Sequence, residues 1–322
     1  MSSPGPVRGG TPIASSRGTG RRPASRPTRR RLSDWWRSLR NGRGHRFGER
    51  ISLPAAPLGA SQQSLRYYRR GYRYAERIPL PVSPLPVPSA EAENPLEAYF
   101  DAHTEGRGLF KWRHYFDIYH RHLQRFRGQP VHVLEIGVLG GGSLEMWRAY
   151  LGPDARLTGV DIDPECRALA PEGVEILIGD QADPEFWREY LATSPTIDVV
   201  IDDGGHHARQ QAVTLESLLP HIRPGGVYIC EDIHHPQHWF HAFIDGLSRP
   251  LNAVGMPRME NPASALQQHV ASVHRYPLVT VIEKPAARPV FEAPRHGSVW
   301  PTRVSRPGAR REAMDGEAPA RD

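Results

Sequence analysis

The sequence predicts an α/β fold, a mostly parallel doubly wound sheet closed by an antiparallel C-terminal hairpin strand, and three observations predict it. Apolar runs at 131–137, 156–162, 174–180, 196–203 and 226–232 each close on or beside an acid or a glycine. Segments with helical character, 142–151, 164–170, 184–192 and 207–222, alternate with those runs. Residues 271–283 (ASVHRYPLVTVIE) depart from the alternation, with two β-rich stretches flanking Tyr276-Pro277. Unbroken apolar runs suit strands buried on both faces. Strand–helix alternation implies right-handed crossovers with helices on both sides of a parallel sheet.

Taken in order, residues 1–50 contain 13 Arg against only Asp34 and Glu49, a local charge of +11 in a chain of net +6, which leaves −5 on residues 51–322. Such a segment buries too little apolar surface to fold. Residues 65–77 (LRYYRRGYRYAER) interleave Arg with Tyr67, Tyr68, Tyr72 and Tyr74. An aromatic and cationic strip of this kind suits single-stranded nucleic acid, but no nucleic-acid-binding fold accompanies it, so a segment packed on the flank of the folded domain or a disordered one is the expectation. Residues 79–88 (PLPVSPLPVP) read as a polyproline-type linker that cannot enter a sheet. The expected organisation is therefore a disordered 1–92, a catalytic domain at 93–300 and a disordered tail at 301–322. Within the domain, 95–104 and 111–126 read as helices, the second through Phe116, Tyr119, Leu123 and Phe126 at three- and four-residue spacing.

Composition excludes several classes. No run of 18 apolar residues occurs, so no membrane span is expected. Cys166 and Cys230 form no CxxC, and Cys230 lies in an apolar run, which fits free thiols in a reducing cytoplasm. Of 41 basic residues only Lys111 and Lys284 are lysines, a bias that a GC-rich genome imposes.

Open parallel sheets bind ligands beyond the carboxyl ends of their strands. The first run ends Glu135-Ile136-Gly137-Val138-Leu139-Gly140-Gly141-Gly142-Ser143. Leu139 stands at the second glycine position of a dinucleotide-binding loop, so the pattern suits an adenosyl ligand without pyrophosphate. No lysine follows the loop, which excludes a P-loop. The second run ends at Asp161, 24 residues after Gly137 and placed to accept from ribose hydroxyls. The third ends at Asp180-Gln181, near where an adenine amino group would lie. Asp163 and Asp183 each precede a proline and are expected as helix N-caps. The fourth and fifth runs end Asp202-Asp203-Gly204-Gly205-His206-His207 and Glu231-Asp232-Ile233-His234-His235. Carboxylates converging from neighbouring strands repel unless a cation lies between them, and oxygen ligands select a hard ion such as Mg²⁺.

The stretches LEIGVLGGGSLEMW, GVDID, IGDQAD, IDDGGHH and GGVYICEDIH resemble, in this order, the class I S-adenosylmethionine-dependent methyltransferases. More narrowly they are similar to the macrolide-sugar (mycinamicin and macrocin type) O-methyltransferases and, in fold, to cephalosporin hydroxylase. The resemblance spans roughly 94–300 and implies a Rossmann-like, seven-stranded sheet. It further implies S-adenosyl-L-methionine bound by Glu135, Gly137, Gly141, Ser143, Asp161, Asp180 and Gln181, and Mg²⁺ held by Asp203, Glu231 and Asp232. His206 would be the general base, and Asp202 would point into the sheet or toward the cofactor. Lys111 would pair with the methionine carboxylate or lie on a solvated helix face. The reaction implied is methyl transfer to a hydroxyl of a small molecule, a sugar or natural product, in the cytoplasm. No membrane or nucleic-acid partner is expected, and a homo-oligomer is left open. The alternatives are a hydroxylase-type oxidoreductase on the same scaffold and a non-catalytic adenosyl-binding module. The N-terminal auxiliary domain of the antibiotic-sugar enzymes is not recognisable in this chain.

Overall fold

The structure, a computed structural model, describes residues 62–75, 77, 94–235, 238–252, 265–291 and 296. The Arg-rich segment 1–50, the linker 79–88 and the tail 301–322 lie outside the described residues.

Five strands and two hairpin strands form one sheet: β1 (His132–Ile136), β2 (Arg156–Asp161), β3 (Glu175–Ile178), β4 (Ile197–Asp202), β5 (Ile222–Cys230), β6 (Ser272–Tyr276) and β7 (Val279–Glu283). Their spatial order is β3-β2-β1-β4-β5-β7-β6. The first five run parallel, whereas β7 pairs antiparallel with both β5 and β6. Strand order reverses between β1 and β4, which fixes where a ligand crevice opens.

Period-two alternation sends side chains from each strand into two cores. Val133, Val199, Val227 and Ile229 enter one cluster, while Leu134, Val200, Tyr228 and Cys230 enter the other. The first core is covered by α2 (Pro95–Ala102), α3 (Arg113–Leu123) and α4 (Gly142–Leu151). Its counterpart lies beneath α5 (Pro184–Thr193), α6 (Ala208–Leu218) and α7 (Trp239–Ser248). Phe116, Tyr119, Leu123 and Phe126, the stripe read from the sequence, are all buried in the first core. Burial on both faces is why the runs are apolar throughout.

Local chemistry sets the boundaries. Asn94 caps α2, its side chain accepting from Leu96 N at 3.0 Å, with Pro95 at the first helical position. Asp163 and Asp183 cap as expected, accepting from Glu165 N and Glu185 N. Three boundaries differ from the sequence reading. Residues Pro164–Leu169 form a 3₁₀ helix. The helix expected over 207–222 stops at Leu218, because Leu219-Pro220 leads into a 3₁₀ turn and Ile222 already pairs in β5. β5 therefore starts at Ile222 instead of 226, with the irregular register between Ile197 and Val199 accommodating Pro224 and the positive φ of Gly225 (78°). It also ends at Cys230, so Glu231 and Asp232 lie beyond the strand.

Two described helices, α7 and the short α8 (Ala265–His269), were not anticipated. Nor was α1 (Gln62–Ala75), which falls inside the 1–92 region where no element was expected. None of its residues is fully buried, but Leu65, Tyr68 and Tyr72 are half-covered at helical spacing, which explains a helix with so polar a composition. No described helix is long and apolar enough to cross a membrane.

Candidate active site

Register brings the strand ends level. Ile136 pairs with Asp202 and Asp202 with Cys230, so the residues that follow, Gly137, Asp203 and Glu231, leave the sheet side by side. Asp203 N donates to Ile136 O at 3.0 Å, and Glu231 N donates to Asp202 O at 2.9 Å. Gly137 takes φ 88°, and a Cβ there would meet Asp203 O at 2.0 Å, so only glycine passes this point.

The acids of β4 and β5 meet at one rim. Lys111 Nζ donates to Asp203 Oδ2 at 2.6 Å and to Glu231 Oε2 at 2.9 Å, with the lysine side chain 3% exposed. Burial alone would lower the lysine pKa, but the carboxylates of Asp203 and Glu231, with Glu135 behind them, outweigh it and hold the ammonium charged. Lys111 is thus neither on a solvated face nor open to a methionine carboxylate. Burial raises Glu231, and Lys111 pulls it back. The Oε1 atom of Glu231 and the Tyr119 hydroxyl are buried beside each other, and neither has a further hydrogen-bond partner.

Asp232 is held from the other side. Its Oδ1 accepts from Tyr115 Oη at 2.6 Å and from Trp112 Nε1 at 3.2 Å, leaving Oδ2 3.8 Å from Nε2 of both His206 and His234. Burial would raise this carboxyl, yet His234, Tyr115 and His206 hold it down at about 2. Ligand atoms of Asp203, His206 and Asp232 all lie within 4.8 Å of one another. His206 (φ 56°) and Asp232 (φ 53°) both adopt left-handed backbone, as does Leu139 (φ 47°) on the glycine loop. Such conformations cost energy for non-glycine residues and concentrate at functional sites.

Asp202 points inward as expected, fully buried, accepting from Gln181 Nε2 at 2.9 Å and Tyr228 Oη at 2.7 Å. The Gln181 amide also donates to Thr214 Oγ1 and accepts from Gly205 N, so it is spent inside the protein and does not face an adenine. Glu135 and Ser143 likewise turn to each other. Ser143 Oγ donates to Glu135 Oε2 at 2.9 Å, and Trp147 Nε1 donates to Oε1 at 3.1 Å. Burial pushes the Glu135 carboxyl up to about 7, against the pull of Lys111 and Trp147. These three brace the site from beneath.

Asp161 stays at the rim, its Oδ2 accepting from the loop amides of Val138 (2.9 Å) and Leu139 (3.2 Å). Asp180 is exposed and accepts from Ala182 N at 2.8 Å. Leu139 and Ile162, 58% and 63% exposed, stand beside Asp161 and leave apolar surface uncovered at the strand ends. Over the loop runs the segment before α3. Gly142 N donates to Gly108 O at 3.3 Å, and Cβ atoms on Gly140 or Gly142 would strike Gly108. Arg107 fastens this strap to Leu169 O and Glu145.

The resemblance implies a segment holding Lys111, Trp112, His114 and Tyr115 over the cofactor, but sequence reasoning missed Lys111, Trp112 and Tyr115 as partners of the acids. The one available signal was a lysine in an arginine-rich chain. A second His and Glu group among the described residues, His122, His274 and Glu283, lies across α3 and the hairpin. It is satisfied internally: His122 bonds Glu283 and Tyr276 Oη, each at 2.9 Å, and Arg125 supplies the positive charge on Glu283.

The chain is similar to known methyltransferases. Residues 134–233 match the methyltransferase domain family. A tetracenomycin-C rhamnosyl 2'-O-methyltransferase of Streptomyces olivaceus is 32% identical over 205 residues, 56% of this chain and 53% of the relative. The mycinamicin VI 2''-O-methyltransferase of Micromonospora griseorubida is 37% identical over 132 residues, 38% of this chain and 33% of the relative. Among solved structures, the MycE methyltransferase of the mycinamycin pathway, in complex with Mg and SAH, aligns with TM-score 0.50 at 27% identity, covering 61% of this chain and 56% of that one. The chain thus spans about a third to a half of the length of these curated relatives. Residues 134–233 match a methyltransferase domain, the sheet has the class I methyltransferase order, and the chain resembles the macrolide-sugar O-methyltransferase group.

Proposed function

We propose that this chain is an S-adenosylmethionine-dependent, Mg²⁺-dependent O-methyltransferase acting on a hydroxyl of a sugar-bearing small molecule. The observation that carries the reading is the gathering of Asp203, His206 and Asp232 within 4.8 Å at the mouth of β4 and β5, on the same sheet edge as Asp161. The comparisons support it, since the relatives named above are sugar O-methyltransferases and the aligned structure contains Mg and SAH.

The residues present fit both groups. For the metal, the donors are hard oxygens, and Oε1 of Glu231 is buried with only the Tyr119 hydroxyl beside it. Three carboxyls face one ammonium, so a divalent ion would balance the rim and favour ionisation of Glu231, whose carboxyl burial raises to about 8. Asp203, Glu231 and Asp232 would hold the ion. For the adenosyl group, Asp161 keeps about one of a carboxylate's four lone-pair sites, on Oδ1, since Val138 N and Leu139 N take Oδ2 and Asp163 N takes one site of Oδ1. Gly137 and Gly141 give close backbone approach, Asp180 stands exposed at the next strand end, and Leu139 and Ile162 offer apolar walls to a planar base.

When bound, magnesium supplies a Lewis acid that makes a coordinated hydroxyl easier to deprotonate. His206 Nε2 accepts the hydroxyl proton. The acceptor oxygen would then attack the sulfonium methyl carbon in line, the C–O bond forming as the C–S bond breaks and the neutral thioether leaves, and the residues of the rim contribute alignment and exclusion of water. Tyr115 and Trp112 keep Asp232 aimed at the mouth. Calorimetric titration with S-adenosylmethionine, with and without Mg²⁺, tests the reading. Binding is expected in both conditions, with turnover of a glycosylated acceptor abolished by chelation and by Asp203→Ala. Absence of cofactor binding removes the methyltransferase reading, and chelator-insensitive turnover removes the metal.

A further inference from the structure

The two lysines of the chain are both buried, although the other 39 of its 41 basic residues are arginine. Lys284 is taken up by carbonyls, donating to Leu219 O at 2.9 Å. Lys111 is taken up by carboxylates from two different strands. Its ammonium stands between Asp203 and Glu231, between two of the three acids proposed to hold the divalent ion. A compact ammonium fits where a planar guanidinium would not, and it is the kind of charge a metal ion replaces. Lys111 also belongs to the strap that crosses the glycine loop, and Trp112, which follows it, and Tyr115 in the first turn of α3 secure Asp232. All three rim acids are therefore held from one short segment.

We propose that Lys111 is a built-in competitor for the divalent ion: it keeps the carboxylate rim assembled and charge-compensated without metal, and the ion enters by displacing its ammonium from Asp203 and Glu231. Lys111 is a positioning residue, its ammonium engaged by Asp203 and Glu231. Two effects follow from its charge. Without it, acids that converge at the ends of β4 and β5 repel one another, so the metal-free protein is weakened. With it, an arriving cation meets a like charge, so metal affinity is held below what the acids alone would give. A residue that only filled space would show the first effect and not the second.

The proposal rests on the metal-dependent reading, and its test is separable from that reading. Full-length wild-type chain and Lys111→Met are stripped of metal. Mn²⁺ binding is followed through the electron-paramagnetic-resonance signal of free Mn²⁺, Mg²⁺ serves as competitor, and melting is followed by calorimetry with and without metal. Lys111→Met is expected to bind Mn²⁺ at least tenfold more tightly than wild type. It should also melt at lower temperature without metal and regain most of the difference when saturated. Should Lys111→Met fail to fold in either condition, the same readings are made on Lys111→Gln, which keeps a donor but no charge and is expected to show the same tightening. Unchanged or weaker Mn²⁺ affinity in the folded variant overturns the proposal, as does a metal-free melting temperature equal to wild type. Failure of S-adenosylmethionine to bind wild type would instead strike the methyltransferase reading, and it leaves the metal comparison interpretable.

Discussion

At the scale of single residues, two side chains carry the sharpest expectations. His206 Nε2 lies 3.8 Å from Asp232 Oδ2, close enough to belong to the metal's surroundings as well as to the acceptor's. The base role predicts that His206→Gln lowers kcat by roughly 10²–10⁴ while Mn²⁺ affinity stays within about twofold. Loss of metal binding in that variant would make His206 a ligand instead. Glu135 governs a pH effect. Its folded carboxyl is raised from 4.5 to about 7 by burial, so the native state holds its proton more tightly than the unfolded chain. The contribution to stability is full below about 4.5, declines as pH rises toward 7, and is flat above. Asp232 has the opposite sign and a lower window, its depressed carboxyl contributing above 3.8 and losing that contribution as pH falls toward about 2. The two therefore do not overlap. Glu135→Gln should flatten the fall in melting temperature between pH 5 and about 7 relative to wild type, measured by calorimetry across that range. A slope identical in both proteins would show that Glu135 is not its source.

At the scale of elements, the strap and the glycine loop are each legible only through the other. Gly142 opens α4, where sequence periodicity asks for nothing more than a helix start. In the fold its Cβ position lies 2.5 Å from Gly108 O, so Gly142→Ala should cost about 1–3 kcal/mol in urea unfolding by forcing backbone apart. Gly246 makes the contrast. It sits within α7 with nothing near its Cβ position, and Gly246→Ala should raise stability by about 0.5–1 kcal/mol. The central strands β1, β2, β4 and β5 were readable because burial on both faces leaves unbroken apolar runs, whereas β6, with no fully buried residue, was readable from the two β-rich stretches flanking Tyr276-Pro277. β5 was misplaced at its start because Pro224-Gly225-Gly226 reads as a turn, and only the irregular pairing with β4 shows that it lies inside a strand. α1 and α7 escaped notice for different reasons. The first hides a thin stripe of Leu65, Tyr68 and Tyr72 among arginines, and the second follows a histidine-rich loop that resembles a long connection.

At the scale of the whole molecule, charge is divided unevenly. Residues 1–50 carry +11, and the remainder carries −5. Removing residues 1–50 should turn a basic protein (pI near 9.5) into an acidic one while S-adenosylmethionine affinity stays within about twofold. A larger loss of affinity would draw the basic segment into the site. Strand-end acids, glycine turns and the alternation of strand and helix are local facts of covalent order, so the class of fold and the sheet edge at which Asp161, Asp203, Glu231 and Asp232 lie could be named from sequence alone. What only tertiary structure decided is which side chains meet those acids. Lys111 reaches Asp203 across 92 positions and Glu231 across 120, while Gln181, equally suggestive in sequence, is drawn inward to Asp202 and Thr214. Periodicity along a chain reports burial, but the partner of a buried charge is set by strand order and register. That is why the rim was foreseen and its cation was not.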